Sequence, residues 1–573
     1  MPGKIASLLL ALLAVAECRT PPVRAQIEPH PFVRSPLCKI RPNESPEARF
    51  EASLRLAGRE YETLVLGVVN PAGERLEVTG IEVSFSGNPD LKARLYRQEY
   101  VEITKPSMFF SLGTGRGLWP DPLVPLSLEQ KTLEGTWTCS LPQPEVIPAG
   151  QNRAFVLELY LPAGGERSIA SGQVLFQVAG RRLPPVKISV RPYRFDLPAS
   201  SSLRTAVGFH FDRVVQKHSQ LSSAAFEARD LHSKYLRLLG QFRLSPYEPQ
   251  YEPLEAQRTQ EGIFIDWKEF DRDVGSFLDG TLEKELLPAT SIRFPPAQAG
   301  LSAQDLPDYC RAVAEHFQEK GWLAKAFYYL PDEPLRRQYP AVRQAARDIK
   351  SLVPELKTLV TKQFTPALKG SVDIWCPDIP LIGDSITFLP VAGQGTRLYW
   401  DCHLNFEPAI YRKRRALGEE AWFYTSMSSS FGPYPNLFID RQASSHRIIP
   451  WLAARYGFQG FLYWETTYSY RGDWNPWLNS RTPFPNGDGN LLYPGTPEIT
   501  GLGEHIPIPS LRMMLLREGF EDFEYLLLRY GDNIRMQTFS RKLVPSSISW
   551  QRDIGEIQAS RDALGAEIER MGL

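Results

Sequence analysis

The 573-residue sequence predicts a multidomain protein of β plus α/β class, an N-terminal β-sandwich followed by a (β/α)8 TIM-type barrel. Three observations carry the prediction. The chain is longer than one hydrophobic core usually supports. From residue 48 to 195, apolar residues fall on every second position in short runs cut by Gly, Pro and Asn, the period of half-buried strands. After residue 200 the pattern changes to an apolar strand, a loop and a long amphipathic stretch, repeated.

The first element, "MPGKIASLLLALLAVAECRTPPVRAQ", has one lysine, an apolar run from Ile5 to Ala16 and then small residues. This is the layout of a secretory signal, and the run is too short to remain as a membrane-spanning helix. Residues 1–25 are therefore expected to direct export to the periplasm, the cell surface or the medium. Cys18 raises a lipoprotein reading, against which Glu17 stands where a small residue normally precedes a lipidated cysteine.

Residues 26–198 form the expected sandwich, with strands in "RFEASLRLAG", "YETLVLGVVNPAG", "LEVTGIEVSFSGNP", "AFVLELYLPAGG" and "GQVLFQVAGRRLPPVKISVRPYRF". "RFDLPASSSLRT", rich in serine, marks the boundary. Residues 199–573 form the expected barrel. Its candidate strands are 205–211, 241–247, 289–294, 324–330, 357–362, 371–376, 420–426 and 460–466. "LPDYCRAVAEHFQEKGW" and "AVRQAARDIKSLV" are covering helices, and "PSLRMMLLREGFEDFEYLLLRYG" is a closing helix capped by Ser510.

Composition excludes several classes of function. Lys plus Arg and Asp plus Glu both number 65, so no basic surplus suits nucleic acid or an anionic membrane, and a neutral partner is expected. Besides Cys18, the cysteines 38, 139, 310, 376 and 402 show no CxxC or Cys/His ligand spacing, so neither a metal site nor a disulfide framework is expected. No cofactor is implied. Ten of the twelve tryptophans follow residue 200, so flat rings concentrate in the predicted barrel.

Barrel enzymes place their chemistry at the C-terminal ends of the strands. "FYYLPDEP" there puts Asp332 and Glu333 between Pro331 and Pro334, and the prolines hold Leu330 and Glu333 extended. A strand ending in an acidic turn is the plain reading. The chemical reading is that close like charges raise one pKa and prepare a general acid. A neutral substrate, many aromatic rings and a carboxyl pair suggest glycoside hydrolysis. One dipeptide cannot easily flank both faces of a sugar, so substrate assistance fits better: Asp332 steadies a 2-acetamido group that attacks the anomeric carbon, and Glu333 is acid and then base.

These residues carry a family resemblance. "GLWPDPLVPL", "PYRFDLP", "YYLPDEP", "PYPNLFID", "GFLYW", "NGDGNLLYPG" and "PSLRMMLLREGFEDFEYLLL", in that order, resemble glycoside hydrolase family 123. The resemblance implies a β-sandwich plus (β/α)8 barrel and a retaining exo-β-N-acetylgalactosaminidase acting on glycans or glycolipids. It implies Asp332 as the residue that orients the acetamido group and Glu333 as the acid/base.

Further substrate-binding candidates follow from their place near strand ends. Trp464 and Trp474 are candidates to stack on sugar faces, with core packing as the alternative. Glu465 is a candidate for a sugar hydroxyl or for an arginine partner. Tyr424 lies at the seventh predicted strand, Trp400 on a long loop, and His210 at the end of the first strand, where a structural histidine is the plainer reading. Two other functions compete: a conventional retaining glycosidase with Glu333 as acid/base and another carboxylate, such as Glu465, as nucleophile, and a non-catalytic glycan-binding surface protein.

Overall fold

The computed structural model describes residues 28–572 except 72, 108–114, 128–130, 133–134, 219–225, 253, 298–300, 383–407 and 479–482. The expected signal, Cys18, Trp400 and Cys402 lie outside the described residues.

The N-terminal part is two facing sheets. One orders its strands His30–Arg34, Glu60–Asn70, Gln151–Leu161, Lys92–Ile103 and Gly117–Pro125; the other orders Glu51–Gly58, Val186–Asp196, Ala170–Val178, Leu76–Ser86 and Gly135–Ile147. Alternate residues such as Leu64, Leu66 and Val68 from one sheet and Val83, Phe85 and Val174 from the other fill the space between them. The Lys92–Ile103 and Gly117–Pro125 strands escape the alternation rule. The first carries charged and polar side chains at many positions, and the second holds Pro120, Pro122 and Pro125 yet is buried from Trp119 onward.

The C-terminal part is built on seven parallel strands, ordered Arg204–Val207, Gly460–Tyr463, Glu420–Thr425, Ile374–Trp375, Lys357–Val360, Ala326–Tyr329 and Ile292–Arg293. The strand expected at 241–247 is absent as a strand. Arg243 has a φ of 60°, and Pro246 has no N–H to donate to a ladder. The segment nevertheless sits between the two edges of the sheet: Val207 N–H donates to Ser245 O (2.9 Å), Tyr247 N–H to Val207 O (3.0 Å) and Arg293 N–H to Tyr247 O (2.9 Å). The result is a nearly closed parallel barrel.

Side-chain alternation decides what faces the barrel axis. Ala206, Phe327, Leu359, Ile374, Cys376, Trp422, Tyr424 and Leu462 form an inner core, while Val207, Val360, Trp375, Ala421, Phe423 and Phe461 join the outer core against the helices. The covering helices run Leu306–Glu319 and Tyr339–Leu352. Among the described cysteines, Cys310 and Cys376 are free thiols.

The Leu511–Tyr530 helix begins at Ser510, whose side chain accepts from Met513 N–H (3.3 Å). Its charged residues Arg512, Arg517, Glu518, Glu521, Asp522 and Glu524 are buried against the sandwich and the Ser444–Tyr456 helix. Arg512 and Asp121 are both fully buried and paired bidentately, at 2.8 and 2.7 Å. Arg517 reaches Glu158 at 2.6 Å, and Arg447 binds Asp522 and Glu518. Removing one partner of such a pair strands the other charge in the core. Arg512→Met is therefore expected to cost about 3–5 kcal/mol, read as an earlier urea unfolding midpoint, and adding Asp121→Leu is expected to recover part of the loss.

Candidate active site

The inner alternation continues beyond the strand ends and selects the residues of the barrel mouth. Two positions past Leu359 is Thr361, two past Phe327 is Tyr329, two past Cys376 is Asp378, and two past Leu462 is Trp464. Tyr247 and Tyr329 stack with ring centroids 6.2 Å apart, packed against the same inner core.

Asp332 and Glu333 sit at this mouth, joined by one hydroxyl. Thr361 Oγ1 donates to Asp332 Oδ1 (2.6 Å) and accepts from Glu333 N–H (2.8 Å). Tyr329 O–H donates to the same Oδ1 (3.0 Å). Both donors engage Oδ1.

Glu333 is not extended. Its φ is 40°, a left-handed conformation that costs a non-glycine residue about 1–3 kcal/mol. Pre-proline sterics alone predict the extended form; the hydrogen bond from its N–H to Thr361 supplies the opposing constraint. Tyr424 O–H donates to Glu333 Oε1. Desolvation pushes the Glu333 carboxyl up from its ordinary range; the Tyr424 hydrogen bond opposes this, Asp332 adds to it and Lys362 opposes it.

The other predicted residues divide. Tyr424 joins the acid pair directly. Glu465 is buried and engaged elsewhere: Thr466 N–H (2.9 Å), Thr467 N–H (3.0 Å) and Thr467 O–H (3.0 Å) donate to Oε1, and Arg213 binds Oε2, with His210 Nε2 3.4 Å away. The structure thus joins His210 and Glu465 to each other and to Arg213. Gly208 makes this crossing possible, because a Cβ there would stand 2.1 Å from Trp464 O. Tyr247 lies between the two groups of acids, its hydroxyl kept protonated by burial and by the charges of Glu465 and Asp332.

Trp464 and Trp474 are half-buried in an aromatic cluster: Tyr468 is 5.1 Å from Trp464 and 5.6 Å from Trp474, and Phe484 is 5.0 Å from Trp464. Trp464 Nε1 also donates to Asp488 Oδ1 (3.2 Å). Thr361, Tyr329 and Asp378 were missed by sequence reasoning. Following the period-2 alternation past each strand end points to all three. Among the described residues no His/Cys/Asp/Glu cluster suits a metal ion.

Residues 295–528 match the family model described as glycoside hydrolase 123, catalytic domain. The fold is similar to that of a family 123 glycoside hydrolase from Clostridium perfringens, whose structural analysis concerns glycolipid glycan hydrolysis. The TM-score is 0.61 and the identity 12%, covering 95% of this chain and 98% of that one, so the likeness bears on the fold alone. A glycosyl hydrolase family 2 member from Bacteroides cellulosilyticus has a TM-score of 0.24 at 10% identity, over 71% of this chain and 44% of that one, and carries no argument. No curated protein matches the sequence significantly.

The electrostatics give opposite signs for two variants. Tyr424→Phe removes a hydrogen bond that favours the ionised form, so the Glu333 pKa is expected to rise. Asp332→Asn removes repulsion, so it is expected to fall. Carboxyl ¹³C NMR titration of Glu333 checks both signs.

Proposed function

We propose that this chain, which carries a glycoside hydrolase 123 catalytic domain over residues 295–528, removes terminal β-linked N-acetylgalactosamine from glycans or glycolipids by substrate-assisted, retaining catalysis. The observation that carries the reading is the Thr361 clamp, which sets two adjacent carboxyls to different tasks. Asp332, turned by two hydroxyls on Oδ1, offers Oδ2 to the acetamido N–H. Glu333, whose proton is held more tightly by burial, protonates the departing glycosidic oxygen.

In the first step the acetamido oxygen attacks the anomeric carbon, the glycosidic bond breaks, and the Glu333 proton leaves with the aglycone oxygen. Asp332 balances the positive charge that develops on the oxazolinium-like ring. In the second step Glu333 takes a proton from water, whose oxygen attacks the anomeric carbon and restores the acetamide with retained configuration.

A protein nucleophile is less well served. Glu465 already receives donors on both oxygens. Asp378 is pushed up to about 8 by burial, so it holds its proton near neutrality and is a poor nucleophile there. A purely glycan-binding role leaves the strained Glu333 conformation and its tuned carboxyl without a purpose. Glycolipid is included among the substrates because the similar Clostridium perfringens protein was studied in glycolipid glycan hydrolysis. Export through residues 1–25 would bring the enzyme to such substrates. No helix among the described residues is long and apolar enough to cross a membrane.

Release of 4-nitrophenol tests the reading. The β-GalNAc substrate is expected to be cleaved and the β-galactoside not, since only the former carries the internal nucleophile. Asp332→Asn and Glu333→Gln are each expected to lose about a hundredfold or more. Cleavage of the galactoside by an active Asp332→Asn variant would contradict it.

A further inference from the structure

Two carboxyls that the proposed mechanism does not use stand beside the acid pair. Asp378 is 4% exposed and continues the inward register of Ile374 and Cys376. It pairs with Tyr424 in an isolated parallel bridge, and Tyr424 holds Glu333. Ser428 Oγ donates to Asp378 Oδ2, while among the described residues Oδ1 has no hydrogen-bond partner.

Asp488 is 3% exposed and sits in the tight turn 486–489, where Gly489 at φ 70° packs against the Trp464 ring. Tyr463 O–H (3.3 Å) and Trp464 Nε1–H (3.2 Å) donate to its Oδ1, while among the described residues Oδ2 has no partner. Ser430 Oγ and Tyr434 O–H, close in sequence to Ser428, are buried and have no partner among the described residues either. Folded proteins seldom leave a buried polar oxygen unpaired unless a water or a ligand completes it. Asp378 Oδ1 and Asp488 Oδ2 are two such oxygens.

We propose that Asp378 and Asp488 form the hydroxyl-reading wall of the sugar site, where Asp378 Oδ1 and Asp488 Oδ2 hydrogen-bond hydroxyls of the terminal sugar ring. The proposal rests on the glycosidase reading above and adds the residues that select the sugar. A neutral, polyhydroxylated ring is the ligand class that fits. Burial raises Asp378 to about 8 and Asp488 to about 7, and the charges of Glu333 and Asp488 add to the rise at Asp378. A protonated carboxyl both donates and accepts, as a hydroxyl does. A hydroxyl lost from the ligand would leave these oxygens unpaired in the complex, which is how such walls reject a near-identical sugar.

The test pairs protein and substrate deletions. kcat/KM is measured on 4-nitrophenyl N-acetyl-β-galactosaminide and on its 3-, 4- and 6-deoxy analogues with wild type, Asp378→Ala, Asp488→Ala and the two Asn variants, with thermal unfolding as the check on folding. Wild type is expected to lose about tenfold or more on at least one deoxy substrate, and that penalty is expected to shrink to about threefold or less in a variant at Asp378 or Asp488. If the Ala variants unfold, the isosteric Asn variants carry the comparison. Wild type indifferent to all three deletions, or folded variants that keep the full wild-type penalties, would overturn the wall while leaving the glycosidase reading intact. Wild type inactive on the parent glycoside would overturn that reading and the wall with it.

Discussion

The structure depends most on one guanidinium. Arg512, at the start of the Leu511–Tyr530 helix, uses all three of its nitrogens as donors in the core. Nε and Nη2 bind Asp121 of the sandwich, Nη1 binds Leu437 O (2.6 Å) and Gly487 O (2.8 Å), and Nη2 also binds Asn490 O (2.5 Å). Tyr493 O–H completes Asp121 at 2.5 Å. These partners lie in "GLWPDPLVPL", "PYPNLFID" and "NGDGNLLYPG", and Arg512 itself lies in "PSLRMM". Four of the segments that carry the family resemblance therefore meet at one buried charge. A buried arginine is tolerable only when its donors are answered, so each segment is constrained by the others. The same contact anchors the turn that carries Asp488, so the sandwich takes part in shaping the barrel mouth.

At the mouth, the constraint is geometric. Parallel strands present alternate residues to the axis, and the same alternation reaches Tyr329, Thr361, Asp378 and Trp464 at the strand ends. Thr361 then does two things with one hydroxyl: it orients Asp332 and stabilises the left-handed Glu333. The strain at Glu333 is small beside the stability of a domain. Tyr424 connects this pair to Asp378 through the neighbouring strand ends.

Much of this was legible in the sequence because periodicity is a local property. The change from a period of two to strand-and-helix units located the barrel strands within a few residues, and Ser510 marked the start of its helix. The 241–247 segment misled because its apolar residues resemble a strand, while Pro246 and the left-handed Arg243 prevent one. The buried ion pairs of the Leu511–Tyr530 helix were not legible, because the partners of Arg512 and Arg517 lie in the distant sandwich. Asp332, Glu333 and Tyr424 could be found from strand ends. An arginine partner for Glu465 was one of the two readings of the sequence, but which arginine, and the donors from Thr466 and Thr467, were not legible, since they follow from a backbone crossing at Gly208. Asp378 was hidden by Pro377, which interrupts the run in which it keeps the inward register.

The central claim is that the substrate's acetamido group, and not a carboxylate of the protein, attacks the anomeric carbon. Intact-protein mass spectrometry after incubation with a 2-deoxy-2-fluoro-β-galactosyl fluoride, alongside inhibition by the thiazoline analogue of the cyclised GalNAc intermediate, tests it most directly. The account predicts an unmodified protein mass and competitive inhibition by the thiazoline that weakens in Asp332→Asn. A covalent glycosyl adduct on a carboxylate, with no inhibition by the thiazoline, would contradict it.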